Sequence, residues 1–292
     1  MVSWFRILLS CLLLSFCVSL SAAPKKITIG FIPGLEPKAL KKNAVELADH
    51  LQKSVGIPMQ VYISKDYNGL IEAMKKKKVD FAFFSPVTFV VAEKKAGAKV
   101  LLKKVYEQPF YYSSILTLRK KGFKNVTDLK GKSIAFVDKK SASGYLYPLV
   151  YFKKNKITPE KYFKKVVYSK NHDSSVEMLR DGKVDAVTVF ANDEQASVNA
   201  WTKHLGANSS SQLKVLWVSD PIPNDPFCVR KDFYASHPKI AHDVMFSLFE
   251  LQDKEGENLL QSLLGVRRME MATSQQYDPV RELVNKLEIK VQ

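Results

Sequence analysis

The chain has 292 residues, 46% of them apolar and 25% charged, which supports real cores in one large or two medium domains and excludes a disordered chain. Its formal net charge of +16 rests mostly on lysines, scattered or in short runs such as Lys75 to Lys78. Arg, the usual base reader and phosphate fork, is scarce, so the charge is read as solvated faces that draw small anions inwards and not as a nucleic-acid surface.

The first 23 residues stand apart. Arg6 precedes an apolar run from Ile7 to Leu20 that ends in Ser19-Leu20-Ser21-Ala22-Ala23, the pattern of a secretory signal. Pro24 hinders cleavage directly before it, so the cut is expected after Ser21 or Ala22. The run is short for a membrane span, and no later segment approaches the needed length. A lipid anchor on Cys17 is the lesser reading, because Phe16 is bulky where a lipoprotein signal carries a small residue. Export also argues against a nucleic-acid target. With Cys11 and Cys17 in the signal, Cys228 is left alone in Phe227-Cys228-Val229. No internal disulfide, metal cluster or redox pair can be drawn, and Cys228 reads as a small core residue.

After the signal, strands and helices alternate. Strands are expected at Ile27–Ile32, Met59–Ile63, Val79–Phe84 and Val100–Val105, with helices between them. Further strands follow at Tyr112–Leu118, Ser133–Val137, Val166–Tyr168, Val184–Val189 and Lys214–Val218, and the chain ends in helices near 238–252, 254–264 and 278–287. The alternation predicts α/β with a largely parallel sheet. No repeat of fixed period and no low-complexity linker is evident. Two lobes joined by crossing strands are therefore expected, 24–115 plus 216–292 forming the first and 116–215 the second, with a ligand cleft between them.

One stretch carries chemistry. Ser141-Ala142-Ser143-Gly144 follows an apolar strand and opens a helix marked by Leu146, Leu149, Val150 and Phe152. Strand, small-residue turn and helix put hydroxyls and free backbone N–H groups at the positive end of a helix dipole, an anion site. An ordinary Ser N-cap has the same local pattern. A nucleotide P-loop does not fit, because Gly144 is not followed by Lys and Ser/Thr.

With Asp66-Tyr67-Asn68-Gly69-Leu70, Val79-Asp80-Phe81-Ala82, Asp128-Leu129-Lys130-Gly131-Lys132, Gly182-Lys183-Val184-Asp185 and Leu216 through Pro226, the hydroxyl loop resembles a known family over nearly the whole exported chain. These are the phosphate, phosphite and phosphonate binding proteins of ABC importers, which have a two-lobed type II periplasmic-binding-protein fold. The loop and Ile222-Pro223-Asn224-Asp225-Pro226 are its most telling parts. The resemblance implies that Ser141 and Ser143 are the donors to a phosphorus oxyanion, with Ala142 lacking the usual third hydroxyl but keeping its N–H. It further implies Tyr67 and Tyr112 as ligand tyrosines, His172 as the ligand histidine and Asp225 as the acid facing the ligand's substituent or a proton-bearing oxygen. Asn192 falls where aminoalkyl-phosphonate binders carry a Glu, with Asp193 and Glu194 beside it. Taken singly, the tyrosines also fit packing, His172 a helix cap and Asp225 a turn.

The implied function is capture of a small phosphorus oxyanion in the periplasm for a membrane permease and its ATPase, by a monomer needing no cofactor or metal. A binding module reporting to a sensory partner is a second reading. A third is an exported phosphate-ester hydrolase, which would require a metal cluster or an activated nucleophile. Neither the metal-ligand spacing nor a Gly-x-Ser-x-Gly elbow occurs.

Overall fold

The structure is a computed structural model that describes residues 23–32, 37–251 and 254–287. The expected signal, apart from Ala23, lies outside the described residues, Cys17 and the cut positions Ser21 and Ala22 included. Among the described residues, no helix is long and apolar enough to cross a membrane.

The strands are β1 (Ile27–Phe31), β2 (Met59–Ile63), β3 (Phe81–Phe83), β4 (Ala98–Val105), β5 (Phe110–Leu118), β6 (Ser133–Phe136), β7 (Lys165–Tyr168), β8 (Ala186–Ala191), β9 (Leu213–Val218), β10 (Ile222–Pro223), β11 (Pro226–Arg230) and β12 (Arg268–Met271). They form two sheets, ordered β12-β4-β11-β3-β1-β2 and β10-β5-β8-β6-β7, with β9 also paired to β5. Both sheets are mixed, which corrects the expected largely parallel arrangement. Three neighbouring strands are parallel in each, β3-β1-β2 and β8-β6-β7. Every other neighbouring pair in the two sheets is antiparallel, so β11, β12 and β5 run against the triplets. The physical reason is the crossing: β5 follows β4, and β11 follows β10, with no helix to turn the chain around, so each crossing strand enters its new sheet from the opposite side. By hydrogen bonding, the second sheet takes everything from Phe110 to Pro223, wider than the expected 116–215 at both ends.

Alternation along the strands of the first sheet divides its apolar side chains between two layers. Phe81, Phe83, Phe227 and Val229 face helices Pro37–Val55 and Pro238–Phe249, and Phe83 lies 4.7 Å from Phe227 and 5.3 Å from Phe31. Ala82 and the fully buried Cys228 face the opposite layer, with Leu70, Phe89 and Tyr277 from helices Tyr67–Lys75 and Pro86–Ala96 and the turn before Asp278.

The two parallel triplets are built alike. In the first lobe Asp80, just before β3, accepts from the Thr28 N–H at 2.9 Å and from Arg230 at 2.7 Å. In the second, Asp185, just before β8, accepts from the Ser133 N–H at 2.9 Å and from Lys121 at 2.7 Å. After β2, the Ser64 hydroxyl donates to Phe31 O, and Asp66 caps helix Tyr67–Lys75 through the Gly69 N–H. After β7, the Ser169 hydroxyl donates to Phe136 O, and Asn171 caps helix His172–Arg180 through the Ser174 N–H. The motifs Val79-Asp80 and Val184-Asp185 are thus structural ties at the start of equivalent strands. Tyr67 and His172 occupy the same place in the two lobes, the first helical residue beyond the carboxyl end of the second parallel strand.

Candidate functional site

Ligands in open α/β sheets bind outside the carboxyl ends of the parallel strands, and there a cavity of about 450 Å3 opens between the lobes. Ser141 and Ser143 reach it from the second lobe and Tyr67 from the first. The hydroxyl loop forms one π-helical turn, Ala142–Leu146, that runs straight into helix Tyr147–Lys154. Such turns are rare and recur at functional sites.

The loop's carbonyl groups are held away from the cavity. The Ser113 hydroxyl donates to Ser143 O at 2.5 Å, and Thr188 Oγ1 donates to Gly144 O at 2.6 Å, alongside the Val137 N–H at 3.0 Å. Ser141 Oγ accepts from the Gly144 N–H at 3.0 Å and keeps its own proton to give. The N–H groups of Ala142 and Ser143 belong to the first turn, which has no intrahelical acceptor. Gly144 is required by close approach, since a Cβ there would lie 2.5 Å from Val137 Cβ and 2.8 Å from Ser141 Oγ. What remains on the cavity side is a set of donors.

Tyr67 is fully buried, and its hydroxyl meets the Ser141 side chain across the cleft; burial pushes the phenol far above its ordinary range, so it stays protonated. His172 stands edge-on to Phe190 with ring centroids 5.0 Å apart. Burial lowers its pKa to about 4, which leaves the imidazole neutral at pH 7, and its buried Nδ1 has no hydrogen-bond partner. Asn192 lines the same cavity, anchored by its N–H on Val198 O at 2.7 Å. Asp225 completes the set from the second crossing, its pKa raised by burial and held back by Lys104, whose Nζ lies 3.8 Å away.

Six of the eight residues singled out in the sequence therefore share one cavity: Tyr67, Ser141, Ser143, His172, Asn192 and Asp225. Two do not line it. Ala142 is buried against Leu146 and Tyr147, so only its N–H can serve a ligand. The Tyr112 side chain leaves the cavity, packs on Phe110 and donates its hydroxyl to Glu194 at 3.1 Å. The neighbouring Tyr111 lines the cavity instead. Consecutive strand residues face opposite sides, so a one-residue alignment shift exchanges the two, and the pairing of Tyr111 with Ile222 fixes which one points inwards. The same geometry settles the acids near Asn192. Asp193 accepts from Gln195, Ser197 and Val198 in its own turn, and Glu194 is taken by Tyr112.

Sequence reading missed Lys104, Tyr106, Lys203 and His204, which also line the cavity. Lys104 sits in an apolar strand pattern, Val100-Leu101-Leu102-Lys103-Lys104-Val105, where two adjacent lysines signal that one of them must face inwards. Among the described residues no group of His, Cys, Asp and Glu is placed to hold a metal, and no hydrogen bond joins His172 to Ser141 or Ser143.

A family profile described as the periplasmic substrate-binding protein of phosphonate ABC transporters matches residues 29–277. The chain belongs to that family. It is a periplasmic substrate-binding protein of an ABC importer. This binding protein is 26% identical over 266 residues to the phosphonates-binding periplasmic protein of Escherichia coli K12, covering 89% of this chain and 76% of that one. It is 30% identical over 216 residues to the phosphate-import protein PhnD of Mycolicibacterium smegmatis, covering 70% of this chain and 66% of that one. Its fold matches that of PhnD1 from Prochlorococcus marinus, solved in complex with methylphosphonate, with a TM-score of 0.80, 20% identity and coverage of 91% and 100%.

Proposed function

We propose that this binding protein captures a simple phosphorus oxyanion, phosphate, phosphite or a small alkylphosphonate, in the cavity between its lobes and delivers it to a permease and ATPase in the membrane. The segment 1–23 directs export, and the protein acts as a monomer without metal or cofactor.

The observation that carries this reading is the hydroxyl loop with its carbonyls turned away. Ser113, Thr188 and Val137 hold those oxygens, so the face towards the cavity offers hydroxyl and N–H donors to charged oxygens. Tyr67 adds a protonated phenol from the other lobe, and closure of the lobes on the ligand excludes water. Asp225 is an acceptor, which favours an oxyanion that still carries a proton near neutral pH, as phosphate, phosphite and phosphonates do and sulfate does not. Asn192 supplies no charge, so a ligand ammonium would be poorly compensated after desolvation.

Calorimetric titration with phosphate, phosphite, methylphosphonate, 2-aminoethylphosphonate and sulfate tests the proposal. Binding of at least one of the first three with one site per chain is expected, with 2-aminoethylphosphonate weak and sulfate weaker. Absence of binding by all three, or tightest binding of sulfate, would overturn it.

A further inference from the structure

Lys104 lies on β4 inside the first lobe, beside the second crossing. Its backbone N–H donates to Asp225 O at 2.9 Å, which sets the two side chains next to each other. Lys104 Nζ stands 3.8 Å from Asp225 Oδ2 and 5.2 Å from the centre of the Phe83 ring. The side chains are only 15% and 22% exposed, and both residues line the cavity. Lys103, one residue earlier, faces the other way to Glu270 at 3.7 Å.

The second acid lining the cavity is Asp173. Its Oδ1 lies 3.4 Å from His204 Nδ1, and Lys203 lines the same cavity. Asp225 therefore has an ammonium of the protein against it, and Asp173 has an imidazole within reach. A ligand ammonium placed beside Asp225 would find that carboxylate already paired, and a positive charge stripped of water without an unpaired partner is costly.

We propose that Lys104 sets the ligand charge this cavity accepts: its ammonium is a built-in counter-cation that occupies the station beside Asp225, so the site selects phosphorus oxyanions without a positively charged substituent. The proposal rests on the phosphorus-oxyanion reading of the cavity and names the residue that decides selectivity within it. Discrimination here is a difference of two affinities, and Lys104 cancels the attraction that Asp225 would otherwise offer an aminoalkyl ligand. Burial lowers the Lys104 pKa while Asp225 raises it. Whether the shared proton sits on the amine or the carboxylate, the net charge of the pair is zero, and a cation gains no net attraction from it.

The test is calorimetric titration of methylphosphonate and 2-aminoethylphosphonate into the wild type, Lys104→Met, Lys104→Arg and the double variant Lys104→Met/Asp225→Asn. The wild type should prefer methylphosphonate by about tenfold or more, and Lys104→Met should swing that ratio by about tenfold or more towards the amino compound. Lys104→Arg should keep the wild-type order, and the double variant, with both charges gone, should not gain affinity for the amino compound. An unchanged ratio in Lys104→Met, beside normal methylphosphonate binding by the wild type, would overturn the role of Lys104 alone. If Lys104→Met does not fold, the wild type still decides, since equal or tighter binding of 2-aminoethylphosphonate would refute the proposal. A wild type that binds no phosphorus oxyanion would instead overturn the reading on which it rests.

Discussion

Two serines and a histidine present the hydrogen-bonding chemistry of the cavity, and they differ in how the fold prepares them. Ser143 Oγ is aimed by a loop whose carbonyl at the same residue is pinned by Ser113. Ser143→Ala removes a donor to a charged oxygen and is expected to cost about 1.5–3 kcal/mol in phosphorus-oxyanion affinity. Lys76→Ala, on an exposed surface run, should change affinity far less. Titration of both variants checks this, and equal losses would mean that the general positive field dominates. His172 is prepared by burial. Its folded-state pKa of about 4 lies below the ordinary 6.5, so as pH falls the unfolded chain takes up the proton first. The stability that accompanies the neutral buried ring is fully present above about pH 6.5 and is lost as pH falls towards 4, by about 3 kcal/mol at most. Urea midpoints measured across that window should fall in the wild type, and His172→Gln should flatten this part of the profile.

At the scale of elements, strand ends and helix caps do the positioning. Asp66 and Asn171 cap equivalent helices, and the residue after each cap, Tyr67 in one lobe and His172 in the other, projects into the cleft. The π-helical turn gains its shape from Gly144, whose Cα approaches Val137 too closely for a side chain. Gly144→Ala is therefore expected to displace the loop, lowering phosphorus-oxyanion affinity by about tenfold or more, with destabilisation of about 1–3 kcal/mol from overpacking. Calorimetry together with thermal melting separates the two effects. Full affinity with an unchanged melting temperature would show that the loop can move aside at no cost.

For the whole molecule, the two lobes repeat one parallel unit, and their carboxyl ends face each other across the cleft. Val105 to Phe110 and Pro223 to Pro226 join them, and Tyr277 braces the second crossing by donating its hydroxyl to Asn224 O at 2.8 Å. A ligand held by both lobes would bind the folded chain alone. A phosphorus oxyanion present at a hundred times its dissociation constant should stabilise the fold by about 2.7 kcal/mol. Melting with and without ligand, repeated after treatment with EDTA, measures this. A shift abolished by EDTA would show that a metal takes part in binding.

Local pattern was enough to determine much of this protein. The apolar runs and their caps located nine of the twelve strands among the described residues to within a few residues, because strand period and turn chemistry are properties of neighbouring residues. The hydroxyl loop was legible for the same reason: strand, small residues and helix follow one another in the chain. Strands β10, β11 and β12 were not: β10 has two residues, one of them a proline, β11 opens on Pro226, and Arg268 and Glu270 break the apolar run of β12. Strand parity decided Tyr111 over Tyr112, and parity is fixed by the tertiary partner β10. The twofold repetition of the lobes left no period in the sequence, because what recurs is a set of hydrogen bonds that different side chains satisfy: Asp66 in one lobe, Asn171 in the other. Lys104 shows the limit most clearly. In the sequence it is one lysine among many, and only the crossing of β4 beside Asp225 takes it out of water and places it in the cavity.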